Sequence, residues 1–234
     1  YFTDARVKGA LSPDSSAPIK EIVANIRQGL PHKIGTQLLI QSNPDLIEEV
    51  APAHIVTELF GSYFKPDDVK GSGPFRLFPA LTTVPLFVAS GNTGTSATDA
   101  TGDDATGQPF TALHCEPIGN VAVQLSGQKQ WTLVRPEFSN ALRPSSSPDG
   151  RAFFASWSNF THVPTYTAVT AAGDAMWVPT WTWHRVDYKS DSNEIAIGAS
   201  LFHFRALDFI FNNPVFGFLI VPAILHELAG LNTQ

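Results

Sequence analysis

Apolar residues follow three different rhythms along the chain. Near the start they recur every three to four positions. "SAPIKEIVANIRQGL" puts Ile19, Ile22, Val23 and Ile26 on one helical face. "NPDLIEEV" opens with Asn43 and Pro44 and carries acids early, as a helix start does. "APAHIVTELFG" reads as another helix, closed by Gly61. Residues 1–75 are therefore expected to form a helical part that packs on the rest.

Over 76–206 the rhythm shortens. "VPLFVAS", "NVAVQLS", "QWTLVRP", "AMWVPTW" and "EIAIGASLFHF" are β-branched and aromatic runs separated by Gly, Pro, Ser and Asp. Many short strands with turn signals predict a mainly β fold with flanking helices, an antiparallel sandwich or barrel. "LSGQKQWTLV" predicts a hairpin turning at Ser126-Gly127-Gln128. Two stretches interrupt the strands. Residues 90–108 are almost without apolar side chains and read as a flexible surface insertion. Residues 143–166 carry aromatics and read as a lid.

The third rhythm is nearly continuous hydrophobicity over 207–234, a C-terminal helical tail. Asn212 and Asn213 divide it, and Pro214 and Pro222 break it. The run from Pro214 to Leu225 is about 12 residues, short of the ~20 that span a bilayer, so no transmembrane helix is expected. Packing on the domain, a homodimer or larger-complex contact through 207–231, and docking at a membrane surface all stay open.

Composition narrows the classes. The chain has 234 residues, 43% of them hydrophobic, enough for a sizeable core. Its net charge is −6 and no Lys/Arg run stands out, so no nucleic-acid partner is expected. A single cysteine, Cys115, excludes an internal disulfide, a zinc finger and a CxxC site. Localisation stays open. An organelle or secretory compartment after removal of a targeting peptide fits a chain starting at Tyr1, and so does the cytoplasm.

Candidate chemistry starts at "FTALHCEPIGN". On a strand, His114 and Glu116 point to one side, and Cys115 to the other. Two histidines and a carboxylate on one octahedral face are the non-haem iron(II) arrangement. His184, in "AGDAMWVPTWTWHRV", is the candidate third ligand; a core histidine bonded to backbone is the competing reading. Lys129, Trp131 and Leu133 alternate on one strand face. A lysine there is either solvated or needs an anion to justify its burial.

These segments resemble the JmjC-type, cupin-like iron(II)/2-oxoglutarate-dependent dioxygenases. The resemblance rests on Thr111, His114, Glu116, Asn120, Gln124, Gly127, Lys129, Trp131, Gly173, Asp174, Pro179, Trp183 and His184. It is strong over about 108–205, weaker over 40–90 and silent on the tail. The spacing from His114 to Lys129 is similar to that of the asparaginyl-hydroxylase branch. The resemblance implies a double-stranded β-helix (jelly-roll, cupin) core and Fe(II), 2-oxoglutarate and O2 as cofactors. It implies that His114, Glu116 and His184 hold the metal, and that Lys129 and Thr111 meet the distal carboxylate of 2-oxoglutarate. Asn120 and Ser200 would lie near its other carboxylate. Trp131, and His162 in the expected lid, are candidate substrate contacts. Glu116 stands where Asp is commoner, and Thr182 interrupts a usual aromatic pair.

The expected activity is oxygenation, with hydroxylation of a protein side chain or small molecule favoured over demethylation. The alternatives are a catalytically silent fold acting as a binding or structural subunit of a larger assembly, and a cupin using another metal. His203 is expected to be structural.

Overall fold

The computed structural model describes residues 18–28, 33–36, 43, 46–50, 80–89, 110–147, 150, 152–155, 162–189 and 195–228. The helix expected at 51–61 and the insertion expected at 90–108 lie outside them.

The described residues form twelve strands: β1 (Lys33–Thr36), β2 (Ala80–Thr83), β3 (Leu86–Ala89), β4 (Phe110–Cys115), β5 (Gly119–Ser126), β6 (Gln128–Val134), β7 (Pro144–Ser146), β8 (Phe153–Ala155), β9 (Tyr166–Ala171), β10 (Ala175–Val178), β11 (Trp183–Lys189) and β12 (Ala196–Phe204). They make two antiparallel six-stranded sheets. One runs β1-β3-β12-β5-β10 with β2 also on β12; the other runs β7-β8-β4-β11-β6-β9. Setting aside β1, β2, β7 and β8, the remaining strands, counted in chain order, fall 1-8-3-6 in one sheet and 2-7-4-5 in the other. That alternation between sheets is a jelly-roll winding.

It also corrects one expectation. The turn at Ser126-Gly127-Gln128 exists, with Gly127 at φ 67, but β5 and β6 are not partners. β5 pairs with β10 and β12, whereas β6 pairs with β9 and β11. The turn carries the chain from one sheet to the other. A side chain at Gly127 would meet the Ala196 Cα at 2.8 Å, so the crossing needs glycine twice over.

Each sheet contributes an inner face to one core. Ala89, Ala122, Val178 and Ala196 of the first sheet meet Trp131, Val186 and Tyr188 of the second. The outer face of the second sheet is covered as well. Leu113, Cys115, Val134, Phe153, Trp181 and Trp183 pack with Phe216 and Ile220 of the tail. A buried strand with apolar residues facing both ways must find cover on both sides.

The helices are α1 (Ile19–Arg27), α2 (Leu46–Val50), α3 (Ala206–Phe211) and α4 (Pro214–Leu228). α1 buries Ile26. Val50 of α2 packs with Val84, Leu86 and Ala199. α3 and α4 divide at Asn212-Asn213 as expected, but α4 runs on through Pro222 where a break was expected. Asn213 caps α4, its Oδ1 accepting from the Phe216 N–H at 3.2 Å. One side of α4 covers the second sheet; Val215, Phe218, Leu219 and Leu225 are exposed. Among the described residues no helix is long and apolar enough to cross a membrane.

Within 143–166, β7 and β8 extend the second sheet beside β4. These two short strands are part of the site's own sheet rather than a cover over it.

Candidate metal centre

The centre is built on the meeting of β4 and β11. Those strands run antiparallel with His184 opposite His114. Further along, Val186 stands opposite Thr111. Two residues of β4, Ala112 and Leu113, thus face one of β11, Arg185, which is a β-bulge. His114 and His184, directly opposed, share the inner face while Leu113 faces the outer core. The bulge turns Thr111, three positions from His114, to that same inner face. A regular strand would send it outward.

His114, Glu116 and His184 each offer a ligand atom, all within 4.8 Å of one another, and all three residues are buried. His114 Nε2 lies 3.4 Å from Glu116 Oε1, and the two imidazole centroids are 4.2 Å apart. Both rings are oriented from behind. His114 Nδ1 is 2.7 Å from the Ala112 carbonyl oxygen, inside the bulge. His184 Nδ1 is 2.9 Å from the Thr182 carbonyl oxygen. A carbonyl only accepts, so each Nδ1 carries a proton, which leaves Nε2 as the ligating atom of a neutral ring.

Burial, and secondarily the neighbouring His114, pushes the His184 pKa down to about 4, against the opposing pull of Glu116 and the Thr182 hydrogen bond. The ring is therefore neutral near pH 7, the form that ligates. Glu116 Oε1 is buried with no hydrogen-bond partner. An orphaned buried carboxylate oxygen costs several kcal/mol unless a cation takes it. Donor set and orphaned oxygen together fit a divalent metal with open positions.

Around this triad the inner faces bring together the other expected residues. Lys129 is opposite Tyr188, Trp131 opposite Val186, and Leu133 opposite His184. Lys129 is 3% exposed. Its Nζ lies over the Tyr188 ring at 5.4 Å and the Phe87 ring at 5.8 Å, and Gly198 leaves room for it. Tyr188 shares a side-chain hydrogen bond with Thr111, and burial pushes its hydroxyl well above the usual phenol range. Asn120 lies opposite Phe202 and Ser200 opposite Ala122, both on the inner side of the first sheet. The Asn120 Oδ1 is buried without a hydrogen-bond partner. The Trp131 indole N–H donates to Thr170 Oγ1 at 3.0 Å, and its ring is 6.3 Å from that of His184.

Other expected residues lie elsewhere. His162 is exposed, with Nε2 3.3 Å from the Ala141 carbonyl on the outer side of the second sheet. Cys115 is fully buried in the outer core, and burial raises its thiol pKa well above the usual value. His203 is buried against Trp177, ring centroids 4.8 Å apart. Two site residues escape the sequence reading. Phe154 of β8 stacks on His114 at 5.4 Å; the aromatics of 143–166 mark the stretch, but nothing in its composition signals a strand beside β4. Tyr188 carries a usable signal, because His184, Val186 and Tyr188 alternate on one strand.

A jelly roll with a His-Glu-His cluster between its sheets defines the class. Residues 101–203 match the family model of the cupin-like domain. That span runs from before β4 to the penultimate residue of β12. No curated protein matches the chain. Among solved structures the chain is similar to Peruvianin-I, a cysteine peptidase from Thevetia peruviana latex. The identity is 9% and the TM-score 0.29, over 51% of this chain and 49% of that one. This chain thus spans about half the length of that protein, and a likeness so slight carries no argument.

Proposed function

We propose that the protein is an iron(II)- and 2-oxoglutarate-dependent oxygenase that hydroxylates a protein side chain or a small molecule. The observation that carries this reading is Lys129. A lysine 3% exposed faces inward on the strand whose Leu133 stands opposite His184. Four strand positions separate the two, roughly 13 Å between backbones. A five-carbon diacid bound to the metal at one end reaches back toward that ammonium. A cupin using another metal for isomerase or storage chemistry has no need of a buried cation there.

On this reading His114, Glu116 and His184 hold iron(II). Lys129 and Thr111 bind the distal carboxylate through a charge-assisted bond and a hydroxyl. Asn120 and Ser200 face the carboxylate nearer the metal. The bound metal would couple oxidative decarboxylation of 2-oxoglutarate to hydroxylation of a C–H bond by O2. The chain's own residues orient the cosubstrate and keep water from the site.

Succinate formation in the presence of iron(II), ascorbate and 2-oxoglutarate is the direct test. The wild type should release it above background without added substrate, and His184→Ala should not. A protein that neither binds metal nor forms succinate would not be an oxygenase. The second reading, a binding or structural subunit of a larger assembly, would then stand on the exposed apolar residues Phe211, Val215 and Phe218 of the tail.

A further inference from the structure

The short turn between β10 and the second ligand strand touches three things at once. Trp181 sits in it at φ 65, a left-handed conformation rare for a bulky residue. It is fully buried. Its backbone N–H donates to the carbonyl oxygen of Glu116, itself a ligand residue, at 3.0 Å. Its indole N–H donates to the Phe209 carbonyl on α3 at 2.9 Å. On either side of Trp181 the tail holds on again. Asn212 Nδ2 donates to the Thr180 carbonyl at 3.2 Å. The Trp183 indole N–H and Asn213 Nδ2 both donate to Ser139 Oγ, at 2.9 and 3.1 Å. Between these fixed points lies Thr182, whose carbonyl orients the His184 ring.

We propose that the α3–α4 hairpin is a positioning element of the metal centre, acting through Trp181 and Thr180 on Glu116 and His184. The strain at Trp181 persists because surrounding contacts hold it. Those contacts come largely from the tail: the Trp181 ring lies 5.6 Å from Phe209 and 5.8 Å from Phe216. Phe216 also stacks on Phe153 at 4.0 Å, the residue before Phe154 on His114. The tail therefore braces both ligand strands from the outer side. Loss of partners bonded directly to a ligand typically weakens metal binding 10- to 100-fold; the tail acts one contact further out, at the low end of that range.

This inference rests on the metal reading, and the test separates the two. Trp181→Phe keeps an aromatic ring but removes the indole donor. Asn212→Ala removes the hold on Thr180. Val121→Ala, on the outer face of the other sheet, is the control for lost packing. Cobalt(II) titration followed by visible absorbance should show about tenfold weaker binding and shifted bands for these two tail variants, each of which breaks a tail hydrogen bond. The control should bind as the wild type does despite a lower Tm. In metal-free protein, the His184 Nδ1–H resonance should be protected in the wild type and the control, and exchange-broadened in the tail variants. Tail variants with wild-type cobalt affinity, spectrum and His184 resonance would overturn the proposal. If the wild type fails to bind cobalt, the metal reading falls, while the resonance still decides whether the tail positions His184.

Discussion

Gly198→Ala tests the cosubstrate pocket with a single methyl group. A Cβ at Gly198 would overlap Lys129 Nζ, and would stand 3.1 Å from the Val123 carbonyl oxygen and 3.4 Å from Gln124 Oε1. The carbonyl belongs to β5, which pairs with β12 on this stretch, so the backbone does not yield. The ammonium must move. Its surroundings leave little room, since Lys129 is buried between the rings of Phe87 and Tyr188. Overpacking of this kind costs about 1–3 kcal/mol of stability. A hydrogen bond to a charged group contributes about 1.5–3 kcal/mol. Displacing the ammonium from a bound carboxylate should therefore weaken 2-oxoglutarate binding about 10- to 150-fold. Calorimetric titration of 2-oxoglutarate into manganese-loaded protein measures the loss, with Lys129→Ala marking its limit. A folded Gly198→Ala protein that binds 2-oxoglutarate within about twofold of wild type would refute the placement of the anion at Lys129.

Three further outcomes are expected. Added zinc at about 100 times its Kd should stabilise the protein by about 2.7 kcal/mol, and His184→Ala should abolish the rise in Tm; an equal rise in both would move the metal elsewhere. Cys115, fully buried, should resist a disulfide reagent in native protein and react completely in denaturant; rapid native labelling would contradict the outer core. Burial holds the His203 pKa below its ordinary 6.5, against the pull of its bond to Leu201. The unfolded chain then binds a proton there that the folded chain does not, so this stability is present above pH 6.5 and lost as pH falls below it. His203→Gln should flatten the acid side of the stability curve; a variant whose acid side is as steep as wild type would show that His203 contributes nothing.

The His-Glu-His cluster was legible because its information is local in kind. His114 and Glu116 sit at a spacing of two on a strand. His184 follows a glycine-aspartate turn and a proline. Alternation alone assigned Cys115 to the side away from the metal, and the outer core holds it there. What could not be read was where two strands meet. The hairpin at Gly127 was misassigned because a tight turn looks the same whether its strands pair or part. Phe154 comes to His114 through the pairing of β8 with β4, in a stretch whose composition suggests a loop. The left-handed Trp181 contradicts its own residue type, and only its tail and Glu116 contacts explain it.

The bulge at Ala112-Leu113 makes strand register itself a functional variable. Close the bulge with every residue kept, so that the ladder is continuous, and Thr111 rotates to the outer layer and loses Tyr188, although His114, Glu116 and His184 are all still encoded. Hydrophobicity, charge and motif would hardly change. Two chains with the same threonine before the same histidine can therefore differ in whether that hydroxyl reaches the interior. An alignment scored by residue identity would count them alike. Transplanting this strand into another jelly roll would demand the same surplus residue, because a position without a functional group sets which side chains share the cavity.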